Sequence, residues 1–237
     1  MSDKRMENIS KEHNQKPAIP RDAASIIVVR GKSQNPDVLV GRRPSTARFM
    51  PNVWVFPGGA LETDDFELRT PFSLRSDVSS RLTRTSKPEV ARALAWAALR
   101  EMYEETGLFI GRKSSLNTSP RGEAQSAYND LGLAPDLSAL DYLMRACTPE
   151  YQPIRFNTRF FIADGSAASG EIRQTPELEE ICWVPLDNLI KMKVASITEL
   201  VIKQTQLYLK EKPAPNSERK MMFFSADMDH NRIWREE

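Results

Sequence analysis

Cysteine and histidine are scarce in this 237-residue chain, with only Cys147, Cys182, His13 and His230. Two cysteines cannot build a disulfide framework, and no Cys/His cluster has the spacing of a zinc site. The pair suits a reducing compartment. A surplus of either charge is also missing: 33 Lys and Arg stand against 32 Asp and Glu, a net charge of +1. A dedicated nucleic-acid binder ordinarily carries a basic surplus, so no nucleic-acid partner is expected, although a local basic site for phosphates is compatible with the balance. No apolar run approaches the roughly 18 residues of a membrane span. The opening segment MSDKRMENISKEHNQKP lacks the apolar stretch of a secretory signal. The expectation is a soluble, cytoplasmic protein with no membrane partner.

What is present has the length for one large domain with a core that needs no staples. Residues 1–20 are polar, closed by Pro17 and Pro20, and read as a disordered arm. Short β-branched or aromatic runs predict strands at 24–29, 38–40, 53–56, 156–163 and 179–184, the third stopped by Pro57-Gly58-Gly59. Residues 63–87 read as a polar, irregular insertion. From Glu89 to Thr106 the pattern predicts a helix, with Pro88 in its first turn and Gly107 just past its end. Residues 124–133 and 137–145 also read as helical, giving a helical insertion over about 112–147, and 186–192 and 197–209 read as amphipathic helices. From Pro213 the periodicity weakens, so 213–237 reads as a partly ordered tail and 21–212 as the domain. Strands mixed with a few helices imply α+β or a three-layer α/β/α arrangement.

The long helix carries Glu101, Glu104 and Glu105 at i, i+3 and i+4, which puts three carboxylates on one face. They repel one another, and they lie near the helix C-terminus, where the macrodipole disfavours negative charge. A triplet of this kind is usually a solvated face. An arrangement that is doubly unfavourable makes sense when a cation binds to it, and a hard divalent ion with oxygen ligands, Mg²⁺ or Mn²⁺, fits.

The neighbouring residues sharpen that reading. The string Arg100-Glu101-Met102-Tyr103-Glu104-Glu105-Thr106-Gly107-Leu108, with Phe56-Pro57-Gly58-Gly59 upstream, resembles the signature of the Nudix hydrolase superfamily, G-x5-E-x7-R-E-φ-x-E-E-x-G-φ, where φ is apolar. The second half matches at every defined position. The first half is split: Gly59 precedes Arg100 by 41 positions instead of 14, an insertion of 27 residues, and an ungapped count puts Arg92 where the signature has its early Glu. That Glu commonly braces the box arginine, a part open here to Glu89 or Glu62. The resemblance implies an α/β Nudix fold with a mixed sheet between helices. It implies Glu104 and Glu105 as metal ligands and Glu101 as a ligand or the base that orients water. It further implies a backbone carbonyl of Gly58 on the metal, and Arg100 as both structural and catalytic. A further acidic ligand from a later loop falls to Glu177, Glu179 or Glu180, with Glu177 preferred. The implied reaction is metal-dependent hydrolysis of a nucleoside diphosphate linked to another group.

Upstream, Arg43 and Arg48 stand at the two arginine positions of a motif that resembles that of coenzyme A diphosphatases. Phe49-Met50-Pro51 before FPGG and Thr158-Arg159-Phe160-Phe161 are similar to the peroxisomal-type branch of those enzymes, while Gly41, Pro44 and Asn52 depart from the motif. Guanidinium groups suit phosphates, so Arg43 and Arg48 are the substrate-binding candidates, ahead of Arg155 and Arg159. Trp54 fits the core better than a base stack. The implied substrate is coenzyme A or acyl-coenzyme A, cut to 3′,5′-ADP and (acyl-)4′-phosphopantetheine. Two alternatives stand: a housecleaning diphosphatase for ADP-ribose, NADH or dinucleotides, and a non-catalytic nucleotide sensor. A homodimer through the helices of 112–147 is an open possibility.

Overall fold

The computed structural model describes residues 17–31, 35–47, 50–114 and 119–237. Most of the expected N-terminal arm, and Arg48 with Phe49, lie outside them.

The chain enters through β1 (Arg21–Arg30), β2 (Asp37–Arg42), β3 (Trp54–Val55) and β4 (Gly58–Ala60). A 3₁₀ turn (Thr63–Glu67) and α1 (Ser76–Leu82) lead to α2 (Pro88–Thr106). Next come β5 (Leu108–Lys113), α3 (Gly122–Asp130), β6 (Leu133–Pro135), β7 (Asp141–Cys147), β8 (Phe156–Asp164) and β9 (Ala168–Gly170). β10 (Glu179–Pro185), α4 (Leu186–Leu189), α5 (Ser196–Glu211), β11 (Met222–Ala226) and β12 (Arg232–Glu236) complete the described chain.

The main sheet runs β10-β2-β1-β8-β7-β11-β12, with β3 beside β2 and β4 beside β1. It is mixed: β1 and β8 pair in parallel from Arg21↔Phe156 to Val29↔Asp164, while β2 and β4 run antiparallel to β1. A second small sheet has the order β6-β5-β9. Because β1 is central, it is apolar on both faces, as buried strands are. Ala24, Ile26 and Val28 meet α2 through Leu94, Trp96, Leu99 and Met102. Ile27 and Val29 face the other way, toward Val201 and Ile202 of α5. The result is the expected α/β/α sandwich. α2 is the best-specified element: Pro88 occupies its first turn, and Gly107, at φ 81°, ends it in the left-handed conformation that glycine adopts without strain.

Three expectations are corrected. Residues 137–145 are not a helix: β7 lies between β8 and β11, with Leu140 and Tyr142 in one core cluster and Leu143 and Met144 in the other. A strand buried on both faces shows no alternation, and a short run of Leu, Ala and Met cannot be told from a helix by periodicity. The helical insertion of 112–147 therefore shrinks to α3, and the dimer that was to use its helices loses that basis. The stretch 213–237 is no loose tail. β11 pairs in parallel with β7, β12 closes the hairpin, and Glu237 forms an ion pair with Arg145. Finally, the helix expected over 186–192 is only the short α4.

Candidate functional site

The register of β1 with β4 sets Ala24 opposite Gly59 and Ser25 opposite Gly58, directly beneath the C-terminal half of α2. The approach is so close that only glycine fits. A Cβ on Gly59 would lie 2.2 Å from Glu101 Oε1, and one on Gly58 would lie 2.5 Å from the Ala24 carbonyl oxygen. The Gly58 N–H donates to Glu105 Oε2 at 2.8 Å. The glycine pair thus allows the Glu101 and Glu105 carboxylates to press against the backbone of the sheet.

A third carboxylate joins them. Oxygens of Glu101, Glu105 and Glu177 all lie within 4.8 Å of one another. Glu101 and Glu105 are 7% and 4% exposed, while Glu177 is exposed on the segment that leads into β10. Burial pushes the Glu101 carboxyl up to about 7, with Glu104 and Glu177 adding to the rise and Arg100 opposing it. Burial, then the Glu101 charge, pushes Glu105 well above the ordinary carboxylate range, against the pull of the Gly58 N–H and of Arg43. Three hard oxygen donors, two of them buried carboxyls that resist holding negative charge, are the donor set a divalent cation would relieve.

Glu104 lies apart from this triad. It turns to Arg100, which donates to its Oε2 at 2.8 Å, and burial raises its pKa while Arg100 opposes the rise. The three box glutamates therefore do not converge, although they share a helix face. Arg100 is fully engaged: it forks onto Asp65 at 2.8 and 3.1 Å, contacts Glu101 Oε1 at 2.9 Å and donates to the Ala60 carbonyl at 3.1 Å.

The brace of Arg100 is a correction. Glu89 and Glu62 were the candidates, and both are exposed. Asp65, 1% exposed, takes the part from the 3₁₀ turn inside the insertion, and its Oδ2 also accepts the Glu62 N–H at 2.8 Å. A carboxylate 35 positions upstream of its partner, in a stretch without periodicity, offers no sequence signal. Arg92, at the ungapped Glu position, instead reaches the Phe66 carbonyl.

Of the later acids, Glu177 joins the triad, whereas Glu179 and Glu180 pair with Arg42 at 3.1 and 2.5 Å across an irregularity in β10. Arg43 follows β2, and its charge acts on Glu105. Arg155 and Arg159 are buried and bound to structural partners: Arg155 donates to the Ala18 and Thr148 carbonyls, and Arg159 pairs with Asp22 and donates to the Thr85 carbonyl. Trp54 packs on the second core cluster. On the α5 side of the sheet lies a cavity of about 730 Å³, walled by Phe156, Phe160, Leu200 and Trp234 with Lys203 and Arg232 among its polar lining. Met50 also lines this cavity.

No protein-family model matches the chain. A Caenorhabditis elegans protein named "Putative nudix hydrolase 7" is 29% identical over 175 residues, covering 69% of this chain and 51% of that protein. The chain thus spans about half the length of the curated relative it matches. The crystal structure of a NUDIX hydrolase from Alicyclobacillus acidocaldarius superposes with a TM-score of 0.62 at 29% identity, over 85% of this chain and 95% of that one. A mutator MutT protein from Bacillus halodurans shares the fold alone, with a TM-score of 0.50 at 15% identity over 92% and 97% of the two chains. The fold is the Nudix fold, and the sequence relative and the structural neighbour together support the Nudix hydrolase superfamily for this chain.

Proposed function

We propose that the chain is a divalent-cation-dependent hydrolase of nucleoside diphosphate derivatives, and that coenzyme A or an acyl-coenzyme A is its substrate. The observation that carries the reaction class is the convergence of Glu101, Glu105 and Glu177 beside Gly58 and Gly59. These carboxylates would hold Mg²⁺ or Mn²⁺, with Glu104 joining if it leaves Arg100 and the Gly58 carbonyl as a further oxygen. When bound, such an ion supplies charge neutralisation at the diphosphate and activation of water. The chain's own groups do the rest. Arg43, whose charge acts on Glu105, would hold a phosphate oxygen. Glu101 would serve either as a ligand of that ion or as the base that orients the attacking water. Arg100, locked by Asp65, fixes Glu101 and Glu104.

The coenzyme A reading rests on the resemblance of the Arg43 and Arg48 segment to the coenzyme A diphosphatase motif. The test is product analysis by mass spectrometry after incubation with Mg²⁺ or Mn²⁺ and coenzyme A, an acyl-coenzyme A, ADP-ribose, NADH and a dinucleotide. The expected result is 3′,5′-ADP from a coenzyme A substrate, faster than any other cleavage, abolished by a chelator and lowered by orders of magnitude in Glu105→Gln. Preferred release of AMP from ADP-ribose or NADH would overturn the substrate. No turnover, with a nucleotide still bound, would overturn the enzyme in favour of a sensor.

A further inference from the structure

Glu177 is the one member of the triad outside α2. It is exposed, and it sits near two buried carboxylates that repel it. Something must hold it there, and the segment 171–178 between β9 and β10 shows what does. At one end Arg173 donates its N–H to the Thr106 carbonyl at 3.0 Å, while its guanidinium lies 4.5 Å over the Tyr103 ring and reaches Glu123 at 3.1 Å. Gly107 makes room: a Cβ there would lie 2.6 Å from the Glu171 carbonyl oxygen. At the other end Leu178 is fully buried against Gly41 of β2, where a Cβ would lie 2.7 Å from its Cδ1. Between these anchors stands Thr175. Its hydroxyl donates to the main-chain carbonyl of Glu105 at 3.2 Å and accepts the Leu178 N–H at 3.3 Å, and its own N–H donates to the Leu178 carbonyl at 3.4 Å.

The last carbonyls of a helix have no partner within it. Here the carbonyls of Glu105 and Thr106 accept from the segment that carries Glu177. The end of α2 and the delivery of the third carboxylate are therefore one structure. We infer that Thr175 is a positioning residue: its hydroxyl closes the turn 175–178 onto the helix and sets Glu177 against Glu101 and Glu105. The inference rests on the cation-site reading above. A hydroxyl can donate and accept at once; valine does neither and serine does both.

The test is a Mn²⁺ titration of the cation-free full chain, read as the rise in melting temperature, for the wild type, Thr175→Val, Thr175→Ser, Glu177→Gln and the double variant Thr175→Val/Glu177→Gln. Thr175→Val is expected to melt close to the wild type without cation. Its half-saturating Mn²⁺ concentration should rise by about tenfold, the scale of losses from groups that orient metal ligands. Thr175→Ser should titrate like the wild type, and the double variant no worse than Glu177→Gln. Thr175→Ala provides the same comparison should valine fit poorly. A wild type that responds to Mn²⁺ beside a Thr175→Val that titrates identically, or losses that multiply in the double variant, would overturn the positioning role alone. A wild type without any response would overturn the cation site and this inference together.

Discussion

Two clusters of buried charge flank the same sheet, and they are built on opposite rules. In the first, Arg81 donates to Asp77 at 3.0 Å and to Asp141 at 2.6 Å, Arg75 and Arg219 close on the same acids, and the Tyr208 hydroxyl donates to Asp141 at 2.7 Å. Burial raises both aspartates, but hydrogen bonds and charge from these arginines more than offset it, so both lie below the ordinary range. In the second, Glu101, Glu105 and Glu177 face one another, and the nearby cations leave Glu101 and Glu105 well above it. The first cluster is complete as it stands and ties α1 to β7, α5 and the approach to β11. The second is short of positive charge, which is the condition for taking up a cation rather than for holding a fold together.

The largest expected effect comes from breaking the complete cluster. Arg81→Met should cost about 3–5 kcal/mol, because two buried acids each lose a charged partner, Asp141 its principal one. That corresponds to a fall in melting temperature on the order of 10 °C, measurable by calorimetry. Glu105→Gln in cation-free protein should cost little, since glutamine keeps an acceptor for the Gly58 N–H and cannot take the charge that burial and its neighbours oppose. Equal losses in the two variants would erase the distinction between the clusters.

The pH dependence should carry opposite signs. Glu101 has its pKa raised in the folded chain, so its contribution is full below the ordinary value of 4.5 and is lost as pH rises through about 7. Asp77 and Asp141 have theirs lowered, so their contribution is present above the ordinary value of 3.8 and is lost on acidification. Between pH 5 and 8 the cation-free protein should lose on the order of 2 kcal/mol, and Glu101→Gln should flatten that decline. Because a cation must displace protons from raised carboxyls, Mn²⁺ should lift the melting temperature more at pH 8 than at pH 6.

The second cluster was largely legible in the sequence, and the first was not. Glu101 and Glu105 stand in a pattern whose helix is bounded by Pro88 and Gly107, and the glycine pair before it signals close approach. Glu177 was legible as one of three acids before a strand, but the choice among them depends on the irregularity of β10 that sends Glu179 and Glu180 to Arg42. Asp65 and Arg81 come from the insertion, where nothing periodic marks them, and they matter only through partners brought close by the fold. The same holds for β7 and the β11–β12 hairpin. Their identity as strands comes from pairing with neighbours, since β-sheet preference is set by context more than by local sequence.

The smallest expected effect concerns Glu104, where helix geometry and tertiary packing disagree. Spacing places it beside Glu101 and Glu105, yet its carboxylate is held by Arg100 at 2.8 Å and is more exposed than either. To reach a cation it must give up that pair, and Arg100 must then satisfy the lost bond elsewhere, already forked onto Asp65. Both requirements subtract from what Glu104 can add. Glu104→Gln should therefore weaken Mn²⁺ binding by only a few-fold, worth less than about 1 kcal/mol, against a far larger loss in Glu105→Gln. Titrating both variants by the rise in melting temperature separates the cases. Equal losses would mean that Glu104 swings away from Arg100 and that the triad around Glu177 is only part of the ligand set.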